Sequence, residues 1–411
     1  MAENNPKGDR ETKRVEVSFP FILIRTKKGI SILERLGRLG FIKRLGWILL
    51  YMLPIFAAVG FYLILSSVIA YISSAFLRGI AREITPLGNL LFPGINPYLP
   101  IVYGWMALVI ALVVHEGMHG VLARSLGFKV KSSGLVLFLI VPIGAFVDID
   151  ENEIKNAKAR DSGRVFAAGP GSNVIAAAIS LLVLLLIVGT MTPLVTGVGV
   201  VGVDPDGPAH EVGMMPGDVI TAIDGKNVTS VQELKKILDP LEPGTNITVT
   251  ARHGSEIVDF DVQLAQDPDN PQRGIMGVFL ANITQSLDRY RNLSPASLSL
   301  YFFLPTLSDT MKIYVVPFSD AMSMFYTSSI GYAFYPLANL LFWVWFININ
   351  LAVFNALPIY PLDGGQAFRV LLQALGKNKL SEKSVTRITT GVTMAMVSLV
   401  ILMITVPYLM R

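Results

Sequence analysis

The chain has 411 residues, of which 52% are hydrophobic and only 16% charged, against about 25% charged in an ordinary soluble domain. The apolar excess lies in long runs, which points to a membrane protein; the net charge of +4 is small, and the basic residues flank apolar runs, which suits membrane orientation and argues against nucleic-acid binding. Cysteine is absent, which excludes disulfides and thiolate metal sites, and histidine occurs only at His115, His119, His210 and His253.

Residues 1–45 read as a basic cytosolic leader carrying Arg25, Lys27, Lys28, Arg35, Arg38, Lys43 and Arg44. Its first 14 residues are polar, with no short apolar region and cleavage site behind them. No cleaved signal peptide is expected, and the first span does the targeting. The apolar stretch Phe19–Ile24 is too short to span. Residues 46–75 form the first span, running outward by the positive-inside rule, and residues 76–97 an external connection with Pro and Gly. Residues 98–126 run back inward, with Lys129 and Lys131 at the cytosolic end. Residues 134–147 are apolar but shorter than the roughly 20 residues a spanning helix needs. With Pro142 and Gly144 inside, they read as a re-entrant hairpin. After a charged stretch, residues 165–192 form the third span, running outward.

Residues 195–267 change character. Short alternating strands (Val198–Val203, Val219–Ile223, Ile247–Ala251, Ile257–Val262) and one helix, Val231–Leu238, indicate an extracytosolic α+β module. Residues 268–292 read as a polar linker. Residues 293–330, with Pro295, Pro305 and Pro317, leave three paths open: lying at the interface, re-entering, or crossing twice. Residues 331–360 form the fourth span, Lys377, Lys379, Lys383 and Arg387 crowd a cytosolic loop, and residues 388–408 form the last span. If 134–147 crossed the bilayer, Asp363 would face the side opposite His119.

Chemistry concentrates at His115-Glu116-Gly117-Met118-His119. On a helix, positions i and i+4 share a face, so both imidazoles can bind one metal. A zinc site of three protein ligands with an open position lowers the pKa of a bound water to about 7. Glu116 can take that water's proton and deliver it to a leaving amine. The bland alternative is a pair of packing histidines, but ionisable groups inside a span are costly and functional by default. His210 and His253 fall in the external module, on the wrong side for a third ligand. Asp363 qualifies, in Asn355-Ala-Leu-Pro358-Ile-Tyr-Pro361-Leu-Asp363-Gly364-Gly365. Two prolines break the helix there, and a broken stretch at membrane depth needs protein or a wet cavity around it. Taken alone, the stretch also reads as a helix-ending Asp-Gly turn. In Gly169-Pro170-Gly171-Ser172-Asn173, small residues allow close helix approach. Asn173 there either hydrogen-bonds a substrate or oxyanion, or holds a neighbouring backbone.

Together these stretches resemble the site-2 protease family of intramembrane zinc metalloproteases. That family carries HExxH, then Gly-Pro-x-x-Asn, then Asn-x-x-Pro-x-x-x-x-Asp-Gly, matched here by His115–His119, Gly169–Asn173 and Asn355–Gly364 with Pro358 in register. The segment Pro142–Val147 is similar to the family's membrane-embedded β-hairpin. The module resembles a PDZ domain through Pro208-Ala209, Gly213, Pro216-Gly217-Asp218-Val219-Ile220 and Ile223-Asp224-Gly225-Lys226-Asn227-Val228. PDZ grooves bind peptide ends by adding a strand to a sheet edge, which makes a peptide C-terminus a candidate partner; a module that only spaces or stabilises is the alternative.

The resemblance implies a mainly α polytopic membrane protein. Three core spans (98–126, 165–192, 331–360) surround one Zn2+, with a flanking helix on either side and a small α+β PDZ-like domain. It implies cleavage inside transmembrane helices of membrane-tethered proteins in the cell membrane, with His115, His119 and Asp363 binding metal. Glu116 would be general base and acid, and Asn173 and Asn355 would hold or polarise an extended substrate that pairs with the hairpin. Two other readings compete. Another HExxH membrane metalloprotease would usually use a Glu as third ligand. A non-catalytic PDZ-type adaptor would not need intact His, Glu, His and Asp.

Overall fold

The computed structural model describes residues 15–26, 29–84, 86–139, 141–305, 316–376 and 380–410. The leader's first 14 residues, Lys27, Lys28, Lys377 and Lys379 lie outside them, as does the middle of the 293–330 stretch. The described chain opens with a β-hairpin, Val15–Ser18 (β1) and Phe21–Thr26 (β2), followed by helix α1, Ile30–Gly37. The described part of the leader is thus built structure. Its strands are rich in Val, Ile and Phe; β2 pairs locally with β1 and takes its second partner from a strand more than 100 positions away, which no local pattern reveals.

Helix α2 (Gly40–Ser73) starts ahead of the expected 46. Lys43 and Arg44 fit inside it because long cationic stems reach polar surroundings from within a helical turn. Helix α3 (Ala75–Glu83) occupies the expected connection, with Ser74 capping it by accepting from the Leu77 N–H. Helix α4 (Ile101–Leu126) ends at Gly127, whose φ of 91° is open to glycine at little cost. The re-entrant stretch is a true hairpin, longer at both ends than 134–147: Val130–Phe138 (β3) and Val141–Ile149 (β4). It joins the N-terminal hairpin in a four-stranded antiparallel sheet of order β1-β2-β3-β4. Helices α5 (Glu151–Asn156) and α6 (Ala159–Val188) follow.

Strand β5 (Met191–Pro193) leads into the module. Its elements are β6 (Val198–Val203), α7 (Pro208–Glu211), β7 (Val219–Ile223), β8 (Lys226–Asn227), α8 (Val231–Leu238), β9 (Asn246–His253) and β10 (Glu256–Gln263). The short strands β11 (Ala265–Gln266) and β12 (Gly274–Ile275) pair with each other. Strand β13 (Val278–Asn282) completes the sheet, of order β10-β9-β7-β6-β13 with β8 on β7. The module therefore runs past residue 267, and the expected polar linker 268–292 is a correction. Its polar start is an internal turn, in which the Asp267 carboxylate accepts the Asp269 N–H and binds Arg273. Such a turn is indistinguishable by composition from a linker. Val198, Ile220, Val249, Val262 and Leu234 are among the buried residues of its core.

Helix α9 (Ile283–Arg291), helix α10 (Pro295–Leu298) and strand β14 (Tyr326–Ser328), which pairs with β5, complete this unit. The Tyr301 hydroxyl donates to the Tyr290 carbonyl at 2.9 Å, and the Tyr290 and Phe318 rings meet edge-on. Among the described residues of 293–330, no helix is long enough to span. Then come α11 (Phe334–Ala356), α12 (Asp363–Gly376) and α13 (Glu382–Leu409).

Among the described residues, five helices are long and apolar enough to cross a membrane: α2, α4, α6, the helix ending at Ala356, and α13. The protein is a mainly α-helical polytopic membrane protein with a small α+β domain. Two compact units divide it, residues 1–179 with 343–411, and residues 180–342. In the first unit α1, α2, α4, α6 and the β3–β4 hairpin share a core of Leu33, Ile42, Val121, Leu122, Val130 and Val165. A second cluster joins Leu49 and Leu53 of α2 to Ala167, Ala356 and Ala367. Close approach rests on small residues: a Cβ on Gly171 would stand 2.6 Å from the Leu49 side chain.

Candidate metal centre

His115 and His119 stand one helical turn apart on α4, both buried, their rings edge-on with centroids 4.9 Å apart. Asp363 comes to them from the far end of the sequence. Pro358 and Pro361 donate no backbone N–H, so α11 ends at Ala356 and a short irregular turn intervenes before Asp363 opens α12. Asp363 is thus the first residue of a new helix and not the last of a span. The new helix lies directly against that turn. A Cβ on Gly364 would stand 2.1 Å from the Ala356 carbonyl oxygen, and one on Gly365 2.4 Å from the Tyr360 nitrogen. Only glycine fits at either position, and the contact fixes where Asp363 points.

Asp363 Oδ2 lies 3.0 Å from His115 Nε2 and 3.2 Å from His119 Nε2. One potential ligand atom from each of the three residues lies within 4.8 Å of the others, the one such group among the described residues that could hold a metal ion. The donor set suits zinc, which takes imidazole nitrogen and carboxylate oxygen at about 2.0–2.2 Å. The His119 ring is oriented for this: its Nδ1–H donates to the Val165 carbonyl at 2.7 Å, which turns Nε2 toward Asp363. Space is kept by Gly169 of α6. A Cβ there would stand 2.4 Å from His119 Nε2 and 2.5 Å from His115 Nε2, where the ligand atoms converge.

Glu116 does not ligate in this arrangement. Its Oε2 accepts the Val147 N–H of β4 at 3.2 Å. Asn173 lies four residues beyond Gly169 and so on the same face of α6. It is fully buried, and neither its Oδ1 nor its Nδ2 has a hydrogen-bond partner, so it does not hold a neighbouring backbone. Asn355 is half-buried in the last turn of α11. His210 sits in α7 and is exposed; His253 Nδ1 meets Asp218 Oδ1 at 2.8 Å. Neither belongs to the metal group. Three contributions escape sequence reasoning. The Val165 carbonyl and the Val147 N–H carry no side-chain signal. Gly169 belongs to a motif whose small residues suit helix packing, although its lack of a Cβ is what leaves the two imidazoles room.

A buried HExxH pair on a membrane-length helix, met by a distant carboxylate, is the arrangement of a membrane metallopeptidase. The profile of peptidase family M50 matches residues 103–401, most of the chain, which belongs to that family. It is a zinc metalloprotease of the site-2 protease type. Among its relatives, an uncharacterized protein of Methanocaldococcus jannaschii is 27% identical over 87% of this chain and 80% of its own length. A putative zinc metalloprotease of Nostoc is 29% identical over 65% of this chain and 84% of its own. The chloroplastic membrane metalloprotease ARASP of Arabidopsis thaliana is 29% identical over 66% and 70%. The PDZ domain of an SdrC-like protein from Listeria monocytogenes is 27% identical over 22% of this chain and 94% of its own, with a TM-score of 0.20.

Proposed function

We propose that this zinc metalloprotease hydrolyses peptide bonds within transmembrane helices of membrane-tethered proteins, in the cell membrane, with a cytosolic N-terminus and an extracytosolic PDZ-like domain. His115, His119 and Asp363 hold the zinc. The observation that carries the reading is the convergence of their three ligand atoms although His119 and Asp363 are 244 positions apart. Zinc, when bound, supplies a Lewis-acid charge that polarises the scissile carbonyl and makes water nucleophilic at neutral pH.

Glu116 takes the proton of the attacking water as the carbon–oxygen bond forms. It then delivers that proton to the amide nitrogen as the carbon–nitrogen bond breaks. Asn173 and Asn355 hold the extended substrate. The unpartnered amide of Asn173 supports this, because a buried polar group without a partner costs about 1–3 kcal/mol and calls for a reason. A substrate helix hides its backbone in its own hydrogen bonds, so it must unwind, and the β3–β4 hairpin offers replacement bonds. In the PDZ-like domain β13 ends the sheet, and Asn282 at its end accepts the Val231 N–H at the start of α8. That open edge beside a helix supports capture of a peptide C-terminus there.

The test is cleavage of a model transmembrane substrate by purified protein in detergent. Chelation should abolish it, zinc restore it, and Glu116→Gln lower it by about a thousandfold. A Glu116→Gln variant as fast as wild type would end the reading.

A further inference from the structure

The Glu116–Val147 hydrogen bond joins Glu116 to the hairpin strand that, among the described residues, ends the sheet. Val147 lies on β4, the outer strand of the order β1-β2-β3-β4. The far edge of β3 is filled by β2, in register from Phe21↔Phe138 to Thr26↔Ser133. Among the described residues, β4 is therefore the strand of the hairpin with an open edge. Val147 stands opposite Ser133 of β3, yet its N–H turns away from β3 to Glu116 Oε2 at 3.2 Å. By the two-residue repeat of a strand, Ala145 turns its own N–H and C=O to the same open side. This edge runs beside α4, where a Cβ on Gly120 would stand 3.0 Å from the Val147 side chain. A peptide added to β4 needs the Val147 N–H for one of its carbonyls, and Glu116 occupies it.

We propose that Glu116 masks the substrate edge of β4, and that an incoming extended segment takes the Val147 N–H onto its own carbonyl and so releases the carboxylate for catalysis. The proposal rests on the reading of Glu116 as general base. It makes the base respond to strand formation. A segment still wound as a helix has its carbonyls engaged internally, cannot compete for Val147, and leaves Glu116 on the strand. An unwound segment competes, docks, and frees the base in the same event. Selection for locally unwound substrates is then built into one hydrogen bond.

Binding to metal-free, full-length protein in detergent separates this from the hydrolysis reading, because no turnover is involved. The probe is a blocked octapeptide of alternating Val and Ala. Glu116→Ala should bind it about five- to tenfold more tightly than wild type, the worth of one unmasked hydrogen bond. Val147→Pro, tolerated on an open edge but without an N–H, should bind weakly, and Glu116→Ala in that background should bring no gain. Amide exchange provides a second measurement on folded protein. Val147 should be protected in wild type, unprotected in Glu116→Ala, and protected again when the peptide binds. Equal affinity of Glu116→Ala and wild type, a gain that persists with Val147→Pro, or unchanged exchange at Val147 would each overturn the proposal, leaving the role of Glu116 in hydrolysis untouched.

Discussion

The two compact units sort polar and apolar residues in opposite senses. In the 180–342 unit, strand β9 turns Ile247, Val249 and Ala251 inward, while its outward threonines pair across the sheet with β10, Thr248 to Asp261 at 2.9 Å and Thr250 to Asp259 at 2.7 Å. Water drives that arrangement, and these outward threonines and aspartates pair with one another across the sheet. In the other unit, α2 turns Ile48, Tyr51 and Ile55 outward with more than half their surface exposed, while His115, His119 and Asn173 are buried. Lipid gives apolar side chains no reason to hide, so apolar groups stand both inside and outside the spans, and the interior also holds small residues and polar chemistry. Burial in the module reports folding; a buried polar group among the spans that lacks a backbone partner, as Asn173 does, is a candidate for function.

Substitutions in each unit can break this contrast. Asp363→Ala should have the largest effect: bound zinc should fall to background and cleavage by at least about a thousandfold, the loss of an essential unit of the site. Amide exchange of the module's strands should not change. Module strands that exchange faster in this variant would show that the metal site also supports the module's fold, and the contrast would fail. Gly169→Ala comes next. The added methyl would sit 2.4–2.6 Å from ring atoms of His115 and His119, so the ligands must move, and a displacement near 1 Å costs about a hundredfold in rate. Wild-type turnover by this variant would mean that α6 yields freely there. In the module, Ile220→Ala empties a fully buried site and should destabilise the sheet by about 2–5 kcal/mol, read from exchange of its slowest amides. Zinc content should hold. A loss of zinc would overturn the division into separately organised units.

How far each unit could be read from sequence follows from the same difference. The HExxH pair was legible because helical spacing alone puts two side chains on one face. Asp363 was legible because Pro358, Pro361 and the glycine pair mark a break that needs a purpose. The module's strands showed as alternation between water and core. What escaped depends on partners distant in sequence or on backbone atoms. β2 is held between its hairpin mate β1 and β3, and the β3 side lies 107 or more positions on, as the pairing Thr26↔Ser133 shows. β13 was hidden behind the turn at Asp267–Arg273, whose polar residues serve their own hydrogen bonds. The Val165 carbonyl and the Val147 N–H, which orient His119 and hold Glu116, belong to residues whose side chains only pack. Residue type cannot announce a role performed by the main chain.

The smallest expected effect tests whether the module's surface follows aqueous rules in detail. At the start of α8, Ser230 Oγ accepts the Glu233 N–H, and the Glu233 carboxylate reaches back to the Thr229 N–H and hydroxyl. This is a reciprocal cap displaced by one residue from the usual box. The Thr229 N–H, and then its hydroxyl, hold the Glu233 carboxyl below the ordinary glutamate range. A carboxylate whose folded-state pKa is lowered adds stability that is fully present above its unfolded pKa of about 4.3 and is lost as pH falls through the folded value. Below about pH 5 the wild-type module should therefore weaken more steeply than Glu233→Gln, which has no carboxylate to protonate. Ser230→Ala removes a neutral acceptor instead, so it should cost about 1 kcal/mol at every pH. Parallel pH profiles for wild type and Glu233→Gln would mean that solvent, and not this cap, satisfies the Thr229 N–H.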